Sequence, residues 1–408
     1  MDNISNKKSM ATGFSLYYLS SALLAISLIF TNWIGGLIFS AAWLINYYLW
    51  KLLNDELIQL PNLDGSSLVP LLLKRFNMGN VLLTFWAALL VIFQIIWAAQ
   101  SWLLYPLALL AFIPAFWSLK IARRLRGMVE DLPLTFKNLV ALEHLSQLDT
   151  LILDEITTGK VLVEDILLAD GIKEELFGKI IGTFLQAIHT KNEIISGLNQ
   201  RFKYAKTYPV KNIIPFSKDR SWSSMYLESI GTVFLGPAET LLKETPDFVI
   251  HSLAEGNRIM ALAVTQEEHD GQILPDTLFT IALIVLSDPL KEGIPQLLQS
   301  LQEENIQLKI LTREDPVRLA NLCQSLGLLN ESQCEGIFGE LDLHQKQEAI
   351  EYFSTQQITA YVGEQQIENG CRIGSHPSNH PDILLKDNLV ELAEALTNEI
   401  KEVHHFLF

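Results

Sequence analysis

The sequence predicts a four-helix membrane anchor joined to an α/β cytoplasmic part, in which a second domain interrupts a parallel, doubly wound sheet. Three observations predict this architecture. Two long blocks, 9–50 and 76–119, carry no charged residue. The rest of the chain alternates short apolar runs with amphipathic helical stretches, which is typical of a parallel sheet. Between 161 and 280 this alternation gives way to a different pattern, which indicates an inserted domain.

Each uncharged block is long enough for two membrane spans, since one span needs about 20 apolar residues. We expect these spans near 14–31, 34–50, 81–99 and 103–119. The alternative for the first of them is a cleavable signal peptide, but no small-residue cleavage site precedes the equally apolar second helix. Lys and Arg flank both blocks and are absent from the turns within them. By the positive-inside rule, both chain termini should be cytoplasmic and the protein should lie in the cell membrane.

The part of the chain beyond the two blocks is strongly acidic. The whole chain has 30 Lys and Arg against 46 Asp and Glu, a formal net charge of −16. Only six of the cations and four of the acids lie before residue 121, so the remaining 288 residues carry a net charge of −18. Such a surface repels a phosphate backbone and argues against a nucleic acid partner. Cys323, Cys334 and Cys371 form no CxxC pair and read as reduced cytosolic thiols.

Strands of the parallel sheet are predicted at 151–153, 281–286, 308–311 and 360–362, and helices at 294–304, 317–326 and 345–353. Chemistry in such sheets gathers at the carboxyl ends of the strands. Those ends carry Asp154, Asp288, Thr312 and Glu364. The inserted region contains a predicted helix at 173–189 and strands at 232–235 and 259–263. The expected plan is a tail at 1–13, membrane hairpins at 14–50 and 81–120, a linker at 51–80, a sheet domain at 121–160 and 281–408, and an inserted domain at 161–280.

Several short motifs follow one another from the last predicted membrane span through the cytoplasmic part. They are Phe112-Ile113-Pro114, Asp149-Thr150-Leu151-Ile152-Leu153-Asp154, Phe216-Ser217-Lys218-Asp219-Arg220, Gly236-Pro237-Ala238-Glu239, Glu255-Gly256-Asn257-Arg258 and Asp288-Pro289-Leu290-Lys291-Glu292-Gly293. Together their order and spacing resemble the cation-transporting P-type ATPase family over about 112–396. The resemblance implies a Rossmann-like phosphorylation domain of the haloacid-dehalogenase type, an inserted α+β nucleotide-binding domain, and ATP and Mg²⁺ as cofactors.

The resemblance also assigns roles to individual residues. Asp154 would be the phosphorylated nucleophile, Lys346 the lysine that the family places between two of its motifs, and Thr312 a hydroxyl near the phosphate. Asp154 and Glu364 would be the metal ligands. The nucleotide-binding residues implied are Phe216, which would stack on adenine, together with Lys218, Arg220, Gly236 and Arg258.

The chain departs from the family pattern at the residues that carry the chemistry. The family reads Asp-Lys-Thr-Gly-Thr at the nucleophile, whereas Asp154 is followed by Glu155, which would repel an incoming triphosphate. The family's Gly-Asp-Gly-Val-Asn-Asp is replaced by a run that begins Gly363-Glu364, and glutamate fits the octahedral shell of Mg²⁺ poorly. The Thr-Gly-Asp motif becomes Thr312-Arg313-Glu314-Asp315, and Ala115 stands where the family has a glutamate after the proline of its fourth helix. The linker at 51–80 is too short for the family's actuator domain, and no Thr-Gly-Glu occurs.

These departures favour a catalytically impaired, truncated paralogue that acts as a nucleotide-sensing, regulatory or scaffold partner. Its expected partners are the lipid bilayer and either an intact P-type ATPase or a second copy of itself. Three alternatives stay open. The chain could be a residual Mg²⁺-dependent ATPase or phosphatase that uses Asp154, half of a split cation-transporting ATPase, or a decayed product without selected function.

Overall fold

The computed structural model describes residues 33–58, 85, 89, 112–189, 192–203, 208–217, 220–266, 273–368, 370–377, 380–386 and 388–399. The chain divides into two compact units. Unit 1 comprises Met1–Asp149, Gln357–Ala360 and Ile367–Phe408, and unit 2 comprises Thr150–Gln356 and Tyr361–Gln366. The span expected at 14–31 lies outside the described residues, as does the span at 81–99 apart from residues 85 and 89.

Two long helices begin the described part of unit 1. They are α1 (Trp33–Ile58) and α2 (Phe112–Asp131). The span expected at 34–50 falls within α1, which continues past Trp50 for eight more residues, four of them charged or amide side chains (Lys51, Asn54, Asp55, Glu56). The described part of the span expected at 103–119 begins α2, which continues to Asp131. Among the described residues, no helix combines the length and the apolarity needed to cross a membrane.

Helices α1 and α2 are joined by a buried apolar contact surface and by ion pairs. The carboxylate of Glu56 on α1 accepts hydrogen bonds from Arg123 (3.2 Å) and Arg126 (3.1 Å) on α2. Leu53 and Leu125 are each 1% exposed. The chain then forms β1 (Thr135–Phe136) and α3 (Leu139–Ser146), whose first turn is capped by Asn138.

Unit 2 follows and contains both the expected parallel strands and the inserted domain. Its elements in chain order are β2 (Thr150–Asp154), β3 (Leu162–Leu168), α4 (Glu174–Ala187), α5 (Glu193–Arg201), β4 (Val210–Ile214), β5 (Ser223–Leu227), β6 (Gly231–Pro237), α6 (Ala238–Leu241), α7 (Asp247–Ala254), β7 (Arg258–Thr265), β8 (Phe279–Ser287), α8 (Ile294–Glu303), β9 (Gln307–Leu311), α9 (Pro316–Ser325), α10 (Glu331–Cys334), β10 (Ile337–Phe338) and α11 (Leu343–Gln356). Strand β11 (Thr359–Val362) ends in unit 2 with Tyr361 and Val362.

The remaining elements belong to unit 1. They are β12 (Cys371–Gly374), β13 (Ile383–Leu384), α12 (Leu389–Glu394) and a π-helical turn at Ala395–Glu399. Strand β13 pairs antiparallel with β1 and parallel with β12. The ammonium of Lys137, just after β1, lies 3.7 Å from the carboxylate of Asp382, just before β13.

The inserted domain is a six-stranded antiparallel sheet in the order β3-β8-β7-β6-β5-β4. Successive residues of β6 face opposite sides, as the two-residue period of a strand requires. Val233 and Leu235 belong to one apolar cluster with Phe177 and Phe184 of α4. Phe234 between them belongs to a second cluster, which contains Val249 of α7. Helices therefore cover both faces of this sheet.

The parallel part of unit 2 positions the candidate site. Strand β2 pairs parallel with β9, with Asp154 opposite Leu311, and β9 pairs parallel with β10. Asp154, the last residue of β2, and Thr312, the first residue after β9, therefore lie side by side at the carboxyl edge of the sheet. Helices α8, α9 and α11 occur where the sequence pattern predicts them, with bounds that differ by at most three residues.

The strand predicted at 281–286 exists but not in the expected sheet. It lies in β8, which pairs antiparallel with both β3 and β7. The expectation that it joins the parallel sheet is wrong because an apolar run predicts burial on both faces without identifying the strands that pair with it. Asp288 therefore follows a central strand of the antiparallel sheet.

Candidate functional site

Both carboxylate oxygens of Asp154 accept hydrogen bonds from within the chain. Asp154 is the last residue of β2, and its Oδ1 lies 2.6 Å from Nζ of Lys346 on α11. Its Oδ2 accepts a 2.8 Å hydrogen bond from the hydroxyl of Tyr361 on β11. Lys346 is 1% exposed and Tyr361 is fully buried. The structure thus brings together Asp154 and Lys346, two residues to which the family resemblance assigns roles, and adds a tyrosine that the sequence did not indicate.

A second lysine, Lys291, is hydrogen-bonded to the backbone of Asp154. Nζ of Lys291 donates a 3.1 Å hydrogen bond to the backbone carbonyl of Asp154. Burial lowers the pKa of Lys291, while the nearby carboxylates of Asp154 and Glu155 act in the opposite direction without cancelling that effect. Lys291 follows Asp288-Pro289-Leu290, so the return from the inserted domain contacts the end of β2.

Glu155 is the centre of a second set of hydrogen bonds. Its Oε1 accepts from Nζ of Lys346 (2.6 Å) and from the backbone N–H of Arg313 (2.9 Å). Its Oε2 accepts from the hydroxyl of Thr312 (2.7 Å). Burial raises the pKa of Glu155, but the hydrogen bonds from Lys346, Thr312 and Arg313 outweigh burial and the pKa lies below its ordinary value. Thr312 therefore reaches the site as predicted, but its hydroxyl is bonded to Glu155.

The absence of a side chain at Gly363 allows the backbone there to pack closely against Asp154 and Tyr361. A Cβ at Gly363 would lie 2.2 Å from the hydroxyl oxygen of Tyr361 and 2.8 Å from Cβ of Asp154. Only a residue without a side chain fits so close to the end of β2. Glu364, the second predicted metal ligand, is exposed at the surface of unit 2.

The site does not fit a magnesium ion in this arrangement. Mg²⁺ needs an octahedron of oxygen ligands. Of the oxygens of Asp154, one is bonded to the ammonium of Lys346 and the other to the phenol of Tyr361. Across the residues that the structure describes, no three His, Cys, Asp or Glu side chains are grouped so that they could hold a metal ion. A divalent cation at Asp154 would have to compete with these two donors for the carboxylate oxygens.

A network of ion pairs joins the inserted domain to the parallel part. The guanidinium of Arg258 on β7 lies 3.0 Å from Asp288 and 3.8 Å from Glu314. Arg318 on α9 lies 2.7 Å from the same Asp288 and also pairs with Glu314. The hydroxyl of Thr157 donates a 3.0 Å hydrogen bond to Glu314. Arg258, predicted to reach nucleotide phosphates, is therefore already bonded to carboxylates.

A cavity of about 910 Å³ opens beside this network. Its lining includes Phe216, Pro237, Met260, Arg258 and Lys291. Phe216 is 46% exposed, so part of its ring is available to a ligand. The cavity thus brings together two of the predicted nucleotide-binding residues, Phe216 and Arg258.

The other predicted nucleotide-binding residues are placed differently. Gly236 lies in β6, where an added Cβ would lie 2.8 Å from Cβ of Trp222, so this glycine permits close packing. The guanidinium of Arg220 donates a 2.7 Å hydrogen bond to the backbone carbonyl of Pro215. Lys218 lies outside the described residues. The sequence did not indicate Arg318, whose partner Glu314 lies just before α9, outside the helix.

Comparisons with known proteins agree with this architecture. No family model matches the chain. The chain is 31% identical over 238 residues to a probable cation-transporting ATPase, exp7, of Streptococcus pneumoniae serotype 4, a match that covers 53% of this chain and 31% of that protein. It is also similar to the crystal structure of a zinc-transporting PIB-type ATPase, with a TM-score of 0.55, 14% identity, and coverage of 88% of this chain and 59% of the other. A second crystal structure of a zinc-transporting PIB-type ATPase, in a different state, gives a TM-score of 0.51 at 15% identity and the same coverage. The chain thus spans about a third of its curated relative and about three fifths of the solved structures.

Proposed function

We propose that this chain, whose resemblance to the cation-transporting P-type ATPases these comparisons confirm, binds a nucleotide in the cavity of unit 2 without transferring a phosphoryl group to Asp154. The observation that carries the proposal is the state of the Asp154 carboxylate. One oxygen is bonded to a buried ammonium and the other to a buried phenol.

Phosphoryl transfer to an aspartate needs a free carboxylate oxygen in line with the phosphorus, a divalent metal, and cations to stabilise the transferring group. Here Lys346 and Tyr361 already bond the carboxylate, and Lys346 also bonds Glu155. The residues at Asp154 therefore hold a closed, charge-balanced cluster. This supports an impaired centre over a residual ATPase or phosphatase.

The volume of the cavity and the apolar residues on one side of it support nucleotide binding. Ligand sites commonly have volumes of about 300–1,000 Å³ and a mainly apolar lining with a few polar groups. The cavity falls in that range and presents the exposed ring of Phe216 together with Pro237 and Met260. An adenine ring has a flat face that can stack on such an aromatic side chain.

The charges of the cavity do not favour a triphosphate. Five carboxylates line it, against four cations. Two of those cations, Arg258 and Arg318, are paired with Asp288 and Glu314. We therefore propose that the base supplies most of the binding free energy, and that affinity depends little on the number of phosphates.

We further propose that the two uncharged blocks anchor the chain in the cell membrane with both termini cytoplasmic. There the chain acts as a regulatory or scaffold partner of an intact P-type ATPase or of a second copy of itself. The support is the absence of charge over 9–50 and 76–119 and the named transport activity of the relatives. Extraction of native membranes at alkaline pH tests the anchor, since an anchored chain stays in the pellet.

Isothermal titration of the full chain with ATP, ADP and adenosine tests nucleotide binding. Phe216→Ala should weaken binding of all three about 5- to 150-fold, because stacking of a base on an aromatic ring contributes about 1–3 kcal/mol. Phe248→Ala is the matched control, since Phe248 is 41% exposed on α7 and does not line the cavity. No binding of any of the three ligands, or an equal effect of both substitutions, would contradict the proposal.

A further inference from the structure

The Glu155 carboxylate receives hydrogen bonds from three different kinds of donor. They are the ammonium of Lys346 at 2.6 Å, the hydroxyl of Thr312 at 2.7 Å and the backbone N–H of Arg313 at 2.9 Å. The donors come from α11 and from the turn after β9, which are separate elements of unit 2. Glu155 is thus held in a preformed cradle and does not extend into solvent, with 28% of its side chain exposed.

Ammonium, hydroxyl and backbone N–H groups that converge on one point are the usual donors for a tetrahedral oxyanion such as phosphate or sulfate. The family resemblance already places Thr312 near a phosphate. We propose that the carboxylate of Glu155 is the permanent, intramolecular occupant of the oxyanion site that Lys346, Thr312 and the Arg313 amide form in this chain. Glu155 then takes the place of a phosphate-like ligand and keeps external oxyanions out. This proposal goes beyond nucleotide binding and does not depend on it.

The backbone of Glu155 supports this reading. Its φ is +55°, in the left-handed region that a residue with a side chain adopts at a cost of about 1 kcal/mol. A conformation of this kind persists where surrounding interactions hold it. Here the three hydrogen bonds to the side chain hold it and direct the carboxylate into the cradle.

The charge balance explains why an external anion is excluded. Asp154 and Glu155 carry two negative charges, and Lys346 and Lys291 carry two positive charges beside them. A phosphate added to this neutral cluster would bring uncompensated negative charge into a largely buried site, which is unfavourable. Removing the carboxylate of Glu155 leaves a net positive charge and three vacant donors.

Titration of the full chain with inorganic phosphate, and separately with sulfate, tests the proposal. Glu155→Gly removes the occupant and suits the left-handed backbone, so phosphate affinity should rise at least about tenfold over the unsubstituted chain. Glu155→Gln keeps the cradle filled by an uncharged side chain and should gain far less. Combining Lys346→Met with Glu155→Gly should abolish the gain.

Glu340→Gly is the matched control. Glu340 also has a left-handed backbone, with φ of +57°, but it is exposed and outside the cradle. This substitution removes the same charge and the same backbone strain, so it should leave phosphate affinity unchanged. A gain as large as that of Glu155→Gly would overturn the proposal. So would a folded Glu155→Gly variant that binds phosphate no more tightly than the unsubstituted chain.

A measurement on the unsubstituted chain tests the same claim without relying on the folding of a variant. The amide of Arg313 is already bonded to Glu155, so its hydrogen exchange should not change when phosphate is added. Protection of that amide by phosphate would show that the cradle is open and would overturn the proposal. Absence of nucleotide binding to the unsubstituted chain would contradict the proposed function but would change neither of these phosphate results, so the two failures are distinguishable.

Discussion

Replacement of Lys346 by methionine should strongly destabilise unit 2. The ammonium of Lys346 is 1% exposed and lies 2.6 Å from a carboxylate oxygen of Asp154 and 2.6 Å from one of Glu155. Removing one partner of a buried ion pair costs about 3–5 kcal/mol, because the other charge stays buried without compensation. The two carboxylates are 17% and 28% exposed, so solvent screens them in part and we expect the lower end, about 3 kcal/mol.

The matched control is Lys179→Met on α4. The ammonium of Lys179 also lies 2.6 Å from a carboxylate, that of Glu175, but these side chains are 43% and 77% exposed. An exposed ion pair contributes little, so this substitution should change stability by only a small fraction of the Lys346 effect. Urea unfolding of the full chain in detergent, followed by pulse proteolysis, measures both free energies of unfolding.

A variant in which both carboxylates are neutralised distinguishes the effect of losing the Lys346 charge from the effect of losing the packing of its side chain. With Asp154→Asn and Glu155→Gln already in place, Lys346→Met removes no compensating charge and should cost much less than it does alone. If Lys346→Met destabilises the otherwise unsubstituted chain no more than Lys179→Met does, the reasoning about a buried charge cluster is refuted.

Three further predictions concern the same cluster. The pKa of Glu155 is below its ordinary 4.5, so the ionised Glu155 side chain stabilises the fold fully above pH 4.5 and loses this effect at lower pH. The difference in free energy of unfolding between the unsubstituted chain and Glu155→Gln should therefore shrink on acidification. A difference that does not change with pH would contradict this. Tyr361→Phe removes a hydrogen bond to a carboxylate and should cost about 1–3 kcal/mol in urea unfolding, whereas Tyr352→Phe, at a 59% exposed residue, should cost nothing measurable. Gly363→Ala should cost about 1–3 kcal/mol through overpacking. Gly127→Ala should not destabilise, because an added Cβ would have no atom within 4 Å apart from its chain neighbours and its own helix backbone. Equal effects would contradict the close packing at residue 363.

The sequence predicted most elements of the parallel part correctly, because each combines an apolar run with a clear end. Strand β2 ends at Asp154 and β9 ends before Thr312, so their parallel pairing was sufficient to bring these two residues together. Helix α11 was predicted from its pattern, and its Lys346 lies 2.6 Å from Asp154.

The pairing of β8 could not be read from its composition. The run Ile281–Leu286 is apolar on both faces, and such a run fits the centre of a parallel or an antiparallel sheet. Its antiparallel partners β3 and β7 are separated from it by very different lengths of chain, and periodicity carries no information about that choice.

The hydrogen-bond partners of the side chains in the site also could not be predicted from the sequence. Tyr361 lies in a short apolar strand, where an aromatic residue is ordinarily part of the core, and only the fold brings its hydroxyl to Asp154. Glu155 was expected to repel a triphosphate, but the structure shows its carboxylate bound by three donors. Arg258 was expected to be available to phosphates, but it is bonded to Asp288.

Phosphoenzyme formation tests most directly the central claim that Asp154 is closed to phosphoryl transfer. The purified full chain is incubated with Mg²⁺ and γ-labelled ATP and quenched in acid, with an intact P-type ATPase processed in parallel and Asp154→Asn as the control. The account predicts no label on the chain while the intact ATPase is labelled. Label that is sensitive to hydroxylamine and absent from Asp154→Asn would contradict it, because one oxygen of the carboxylate would then bond to phosphorus in place of the hydrogen bond that it accepts from Lys346 or Tyr361.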